Sequence, residues 1–257
     1  MVNDKQREFR RYEERAAAAL SGRQAPPAAG AALSEMPAYL RTPYQAYAAC
    51  AARLIRPGDR VLELGSGTGA HTEALVRQGA QVVASDISPS SLALLQQRLA
   101  GEGLHIETRV ADMEALPFPD SSFDLLACAG SLSYGEPRLV DAEIRRVLRP
   151  GGALLCVDSL NHNPIYRLNR LVHCLRGNRS RSTLVRMPGL MRIAQLSERF
   201  GTVETQFFGA LSFAMPVLAR CMGAERSQSL SDWFDGFVGI RRAAFKFVLA
   251  ARGLDKT

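Results

Sequence analysis

The chain has 257 residues, 47% of them hydrophobic and 22% charged, with a formal net charge of +7. This is the balance of an ordinary soluble globular protein, of a length that suits one large domain or one domain with a small cap. It excludes several classes: no apolar run reaches the roughly 18 residues of a membrane-spanning helix, the start MVNDKQREFRRYEER lacks the apolar core of a signal peptide, and the five cysteines (50, 128, 156, 174 and 221) are too scattered for a disulfide framework or a zinc cluster. A cytoplasmic location is expected. Cys128 and Cys156 lie in apolar runs and read as core residues.

In chain order, residues 4–20 read as a charged helix that ends in AAAAL. GRQAPPAAGAA then reads as a connection. Residues 1–42 are taken as an N-terminal helical extension that either closes over a ligand or mediates a dimer. A helix at 43–55 starts on Pro43. From 60 to 158 the pattern is regular. Strands are predicted at 60–64, 81–85, 105–110, 123–128 and 152–158, with helices at 70–78, 89–100 and 137–148 between them. Continuous apolar strands separated by helices indicate a parallel sheet covered on both faces. A last strand pair is expected at 202–208 and 243–251. The fold class is therefore α/β: a Rossmann-like, doubly wound sheet of seven strands with helices on both faces, in a domain spanning 43–257. Cap insertions fall at about 160–200 and 209–240.

Charge marks the first insertion. Residues 159–200 hold eight arginines and one acid, Glu198, so this segment carries the whole net excess of +7. PIYRLNRLVHCLRGNRSRST reads as an amphipathic basic helix, with Ile165, Leu168, Val172 and Leu175 near one face and Arg167, Arg170, His173 and Arg176 around it. Three readings stand side by side: a lid with a solvated basic rim, a site for an anionic acceptor, or contact with a membrane surface or nucleic acid. Few aromatics interleave the arginines, so no nucleic-acid partner is expected.

Open parallel sheets bind ligands beyond the carboxyl ends of their strands, and the unusual residues lie there. Gly65, Gly67 and Gly69 follow the first strand, Asp86 the second, Asp112 the third, and Ala129-Gly130-Ser131 the fourth. Gly65-x-Gly67-x-x-Ala70 fits the fingerprint of a nicotinamide dinucleotide site. The same loop fits an acid-x-Gly-x-Gly-x-Gly pattern for another cofactor. Three details favour the second. Glu63 stands two residues before the loop, Gly69 opens the following helix, and Asp112 adds another acid. Three acids around one pocket suit a cationic ligand better than a diphosphate.

VLELGSGTG, VVASDIS, ADMEALPFPDSSFDLL and EIRRVLRPGG, in this order and spacing, resemble the class I S-adenosylmethionine-dependent methyltransferases. The nearest likeness is to the subgroup of ubiquinone and menaquinone biosynthesis. The resemblance covers about residues 58–158 and implies a sixth and seventh strand, the last antiparallel. It implies that Glu63, Gly65, Ser66, Gly67 and Gly69 hold the methionine half of S-adenosylmethionine. Asp86 then takes the ribose hydroxyls, Ile87 and Met113 flank the adenine, Asp112 bonds its amino group, and Ala129 lines the floor near the methyl. The cap stretch NHNPIYRLNR is similar to methyltransferases of small molecules and glycans.

Methyl transfer from a sulfonium is an in-line displacement that rests mainly on alignment, which supplies about 7–11 kcal/mol. An oxygen acceptor gains from a general base. The candidates are Ser131, Ser133, Tyr134, Asp158, Asn161 and His162, with His162 preferred because histidine as a residue type suits proton removal near neutrality. Tyr134, Asn161, Tyr166, Arg167 and Arg170 are the candidate acceptor-binding residues. No metal is expected. The reading is O-methylation of a small metabolite, sugar or natural product. The rivals are a nicotinamide-dependent oxidoreductase and a non-catalytic partner protein of the same fold.

Overall fold

A computed structural model describes residues 2–22, 40–175, 181–237 and 241–256. Tyr39, Arg176, Arg179 and most of the Gly/Pro/Ala-rich connection lie outside the described residues, as do the side chains of Val172, His173 and Leu175. The sheet has seven strands: β1 (Arg60–Leu64), β2 (Gln81–Asp86), β3 (Glu107–Val110), β4 (Phe123–Ala129), β5 (Leu148–Ser159), β6 (Phe200–Phe208) and β7 (Lys246–Leu254). Their order is β3-β2-β1-β4-β5-β7-β6. Strands β3, β2, β1, β4 and β5 run parallel, and β7 is antiparallel to both β5 and β6. The seventh strand starts at Lys246, three residues later than expected.

The strand residues explain the layering. Leu62, Leu64, Leu126, Cys128, Leu154 and Cys156 pack into one core. Their neighbours Val61, Leu125, Ala127, Leu155 and Val157 pack into a second. Side chains alternate faces along a strand, so each strand feeds both cores. The first core is covered by Val140, Ile144 and Val147 of helix α5 (Pro137–Val147). Tyr47, Cys50 and Ala51 of α2 (Thr42–Leu54) and Leu75 of α3 (Thr72–Val76) cover the second. Burying about twelve large side chains of this kind is each worth about 1.5–3 kcal/mol. Helix α4 (Pro89–Ala100) starts on a proline and is capped by Ser88, whose hydroxyl accepts the Ser91 N–H at 3.0 Å.

Two features position the site. Strand order reverses between β1 and β4, so a crevice opens at their carboxyl ends. Helix α1 (Val2–Leu20) packs against α4 and roofs that crevice. The cap follows β5 as α6 (Pro164–Leu175), α7 (Arg181–Arg186) and α8 (Leu190–Ser197). Helices α9 (Met215–Met222) and α10 (Ala224–Phe237) lie between β6 and β7.

The cap corrects the sequence reading of its faces. In α6, Ile165 and Leu168 are exposed while Tyr166 and Arg170 are buried. The Tyr166 hydroxyl donates to the Gly209 carbonyl at 3.1 Å, and Arg170 donates to the Leu160 carbonyl at 2.9 Å. Polar groups with backbone partners beat apolar packing here, because they satisfy carbonyls at the end of β5 and β6. Arg192 of α8 likewise turns inward, donating to Asp141 at 2.8 Å and to the Leu132 carbonyl at 3.0 Å. The arginine-rich segment is therefore not simply a solvated rim.

Candidate functional site

A cavity of about 530 Å³ lies over the ends of β1, β2 and β4. Its size is that of a small-molecule or cofactor pocket, commonly about 300–1,000 Å³. The glycine loop forms its base. Gly65 has φ +66°, and a Cβ there would stand 2.5 Å from the Ser131 Cβ. The loops after β1 and β4 touch, and only a hydrogen fits between them. Gly69 has φ +83°, and a Cβ would meet Leu95 of α4 at 2.8 Å. Gly65 and Gly67 line the cavity whereas Gly69 packs behind it.

Asp86 stands at the tip of β2. Its carboxylate accepts the Gly67 N–H at 2.8 Å and the Ser88 N–H at 2.9 Å. Burial pushes its pKa up, against those two hydrogen bonds. Asp112 accepts from the Lys5 ammonium at 2.5 Å and from the Glu114 N–H at 3.0 Å. Ser66, Asp86, Ile87, Asp112, Met113 and Ala129, all expected from the sequence, line this one cavity. Tyr134 joins them from the loop after β4.

Glu63 differs from expectation. It is 2% exposed and lies behind the cavity wall, where it accepts the Thr72 hydroxyl at 2.5 Å. Burial pushes its pKa up to about 8, with the nearby Asp86 charge adding to the rise. The cavity therefore has two acids at the strand tips, Asp86 and Asp112, and Glu63 ties β1 to α3.

The residues expected on the acceptor side separate. His162 does not line the cavity: its Nε2 accepts the Leu190 N–H at 2.8 Å. The lone pair a base needs is thus already bound, in a contact that starts α8. Asn161 donates to the Leu184 carbonyl at 3.2 Å, and Tyr166 and Arg170 bond the backbone as described. Arg167 is exposed and also outside the cavity. Asp158 is buried, accepts the Leu132 N–H at 3.0 Å, and orients the loop that carries Tyr134.

Several wall residues were not singled out from the sequence. Lys5, Phe9, Tyr12 and Ala16 of α1 close one side. Their spacing of four, three and four is a helical stripe, a legible signal hidden among seven charged neighbours. Arg186 of α7 closes another side, 3.4 Å from Glu136. His71 sits at the start of α3, stacked on Tyr44 with centroids 4.5 Å apart. Burial, then the Lys246 charge, lowers its pKa to about 4, so a neutral imidazole faces the cavity at neutral pH. Among the described residues no cluster of His, Cys, Asp and Glu can hold a metal ion. Among them, too, no helix is long and apolar enough to cross a membrane.

The site fits a cationic nucleoside ligand. It offers two carboxylates at the strand tips, backbone amides at the loop and a neutral imidazole. Beside the glycine loop Arg98 donates to the Thr68 carbonyl, and Lys5, Arg15 and Arg186 stand elsewhere on the cavity wall.

Comparisons with known proteins agree. Residues 62–156 match the methyltransferase domain family. A demethylmenaquinone methyltransferase of Clavibacter sepedonicus is 41% identical over 112 residues, which are 43% of this chain and 45% of that protein. A ubiquinone/menaquinone biosynthesis C-methyltransferase of Teredinibacter turnerae is 38% identical over 110 residues, covering 40% and 44% of the two chains. The matches thus span less than half the length of these curated relatives. Among solved structures, a Haemonchus contortus phosphoethanolamine N-methyltransferase in complex with S-adenosyl-L-methionine superposes with a TM-score of 0.60 at 18% identity, over 82% of this chain and 53% of that one. The [4+2]-cyclase SpnF superposes with a TM-score of 0.57 at 21% identity, over 82% and 80%. Likeness at that identity concerns the fold alone, and the fold serves more than one reaction.

Proposed function

We propose that this chain, whose residues 62–156 match the methyltransferase domain family, transfers the methyl group of S-adenosylmethionine to a small-molecule acceptor. The observation that carries the reading is the joint placement of Gly65, Gly67, Asp86 and Asp112 on one cavity at the β1/β4 reversal. When bound, the cofactor supplies an electrophilic methyl on a positively charged sulfur. Asp86 holds the ribose and Asp112 the adenine amino group, in exchange for its contact with Lys5. The Gly65–Gly67 backbone meets the methionine part. Ala129 and Ser131 form the floor, and α1 excludes water from above.

The acceptor is read in two ways. Oxygen methylation of a metabolite, sugar or natural product is the first. Carbon methylation of a ring that bears an oxygen is the second, and it draws support from the names of the relatives that share the cofactor half. The test uses methyl-labelled S-adenosylmethionine with a demethylated quinol and with a hydroxylated sugar. Mass spectrometry then locates the label. Label on a quinol carbon supports the second reading, and label on a sugar oxygen supports the first. No label with any acceptor overturns both in favour of a non-catalytic role.

A further inference from the structure

The charged groups on the cavity wall sort by sign. Its acids are Glu8, Asp86 and Asp112, and its bases are Lys5, Arg15 and Arg186. Lys5 pairs with Asp112 at 2.5 Å, and Glu8 pairs with Arg11 at 2.6 Å. Asp86 stands at the tip of β2 among backbone amides. What remains is negative charge beside the glycine loop and positive charge at Arg15 and Arg186.

Both arginines flank the contact between Tyr12 and Tyr134, whose hydroxyl oxygens are 2.6 Å apart. Arg15 follows Tyr12 by three residues, so the two share one face of α1 a turn apart. It comes ten residues after Lys5, about 15 Å along the helix axis, and so lies well away from the Asp112 end. Arg186 reaches the same contact from α7. Its guanidinium donates to the Tyr134 carbonyl at 3.4 Å and lies 3.4 Å from the Glu136 carboxylate. Ser182, one turn earlier on α7, adds a hydroxyl to this wall.

The two arginines differ in exposure. Arg15 is exposed, and among the described residues it has no hydrogen-bond or ion-pair partner. The Arg186 side chain is 14% exposed, whereas Glu136 is 43% exposed and off the cavity wall. Taking a guanidinium out of water is costly, and a long contact with a solvated carboxylate offsets little of that cost. An anion brought into the cavity would offset more. The planar fork of a guanidinium matches two oxygens of a carboxylate or a phosphate.

We propose that Arg15 and Arg186 form an oxyanion clamp for the acceptor, so that the molecule to be methylated carries a carboxylate or a phosphate group. The inference rests on the methyltransferase reading above and holds for either methylated atom. Arg186 grips the anion inside the cavity, and Arg15 draws it in at the rim. A cavity negative at one end and positive at the other also sets the direction in which such an acceptor lies. It rejects a cationic acceptor, which would leave Arg186 facing a like charge.

Titration calorimetry on the protein saturated with S-adenosylhomocysteine tests the clamp with benzoate, phenyl phosphate and the uncharged benzamide. The anions are expected to bind at least about tenfold more tightly than benzamide, and their binding to weaken with added salt. Tighter binding of benzoate names the group a carboxylate, and tighter binding of phenyl phosphate names it a phosphate. Arg186→Met weakens the anions roughly tenfold to a hundredfold, and Arg186→Lys recovers part of that loss. Arg15→Met weakens them about twofold to fivefold, as for an exposed charge. Affinities for benzamide and S-adenosylhomocysteine stay unchanged. The clamp is overturned if benzamide binds as well as the anions, if none of the three binds, or if both methionine variants keep the full preference. It is also overturned if Arg15→Met loses S-adenosylhomocysteine together with the anions, because the arginine would then hold the carboxylate of the cofactor. Where Arg186→Met fails to fold, the exposed Arg15→Met decides. Failure of the wild type to bind S-adenosylhomocysteine is a separate result, and it removes the methyltransferase reading itself.

Discussion

The two sides of the cavity are built in opposite ways. The donor side draws on residues 64–113, a short continuous stretch in which each strand tip contributes one loop. Its contacts are made mostly by backbone amides, glycines and two carboxylates. The side proposed for the acceptor draws on three distant segments: α1, the loop after β4, and α7 of the cap. Its contacts are made by long side chains, with Tyr12 meeting Tyr134 across 122 positions of sequence. The donor side is therefore fixed by local chain geometry and tolerates little change. The acceptor side is fixed by tertiary packing and can vary with the substrate.

The contrast is broken most directly at Gly65. Alanine there meets Ser131 at 2.5 Å and keeps a φ of +66°. The expected cost is about 2–4 kcal/mol from strain and overpacking, a fall in Tm of about 5–15 °C, with loss of S-adenosylhomocysteine binding. Calorimetry checks both. A Gly65→Ala protein with wild-type affinity would show that the loops need no close approach.

Behind the donor wall, Glu63 gives a pH signature. Its carboxyl rises from 4.5 to about 8 on folding. The folded state thus keeps a proton that the unfolded chain releases, so its stabilising share is full below about pH 4.5 and is lost as pH rises through about 8. Glu63→Gln removes this dependence and still accepts the Thr72 hydroxyl. The variant is expected to gain on the order of a few kcal/mol over the wild type at pH 8.5 and little at pH 5. Melting curves at the two pH values decide it, and equal gains at both would place Glu63 in water.

At the small end stands His162. Its one described polar contact is the exposed Leu190 N–H. His162→Gln is expected to change stability by less than about 1 kcal/mol and turnover by less than about twofold. A large loss of turnover with normal cofactor binding would return the imidazole to the chemistry.

The same contrast explains what the sequence made legible. The sheet, its order of elements and the strand-tip acids follow from local rules: β-rich apolar runs, glycines where φ is positive, acids just past a strand. Asp86, Asp112 and the loop after β4 came together as read. Glu63 was misplaced because its position inside β1 fixes the face it points to, and that face is the protein interior. The cap was misread because hydrophobic periodicity ignores backbone carbonyls: those at Leu160 and Gly209 draw Arg170 and Tyr166 inward and turn Leu168 out. The α1 roof was hidden for a related reason. Lys5 and Tyr12 face the cavity as partners of Asp112 and Tyr134, and Glu13 bonds Ser88 outside it, which no local pattern encodes.

The central claim is that the strand-tip carboxylates accept the adenosyl part of an adenosyl amino acid and reject a dinucleotide diphosphate. Thermal unfolding with S-adenosylhomocysteine and, separately, with NADH tests it. At 100 times its dissociation constant a ligand adds about 2.7 kcal/mol of stability. S-adenosylhomocysteine is expected to raise the Tm by several degrees, and Asp86→Asn to abolish most of that rise, while NADH leaves the Tm in place. A rise with NADH and none with S-adenosylhomocysteine would contradict the account.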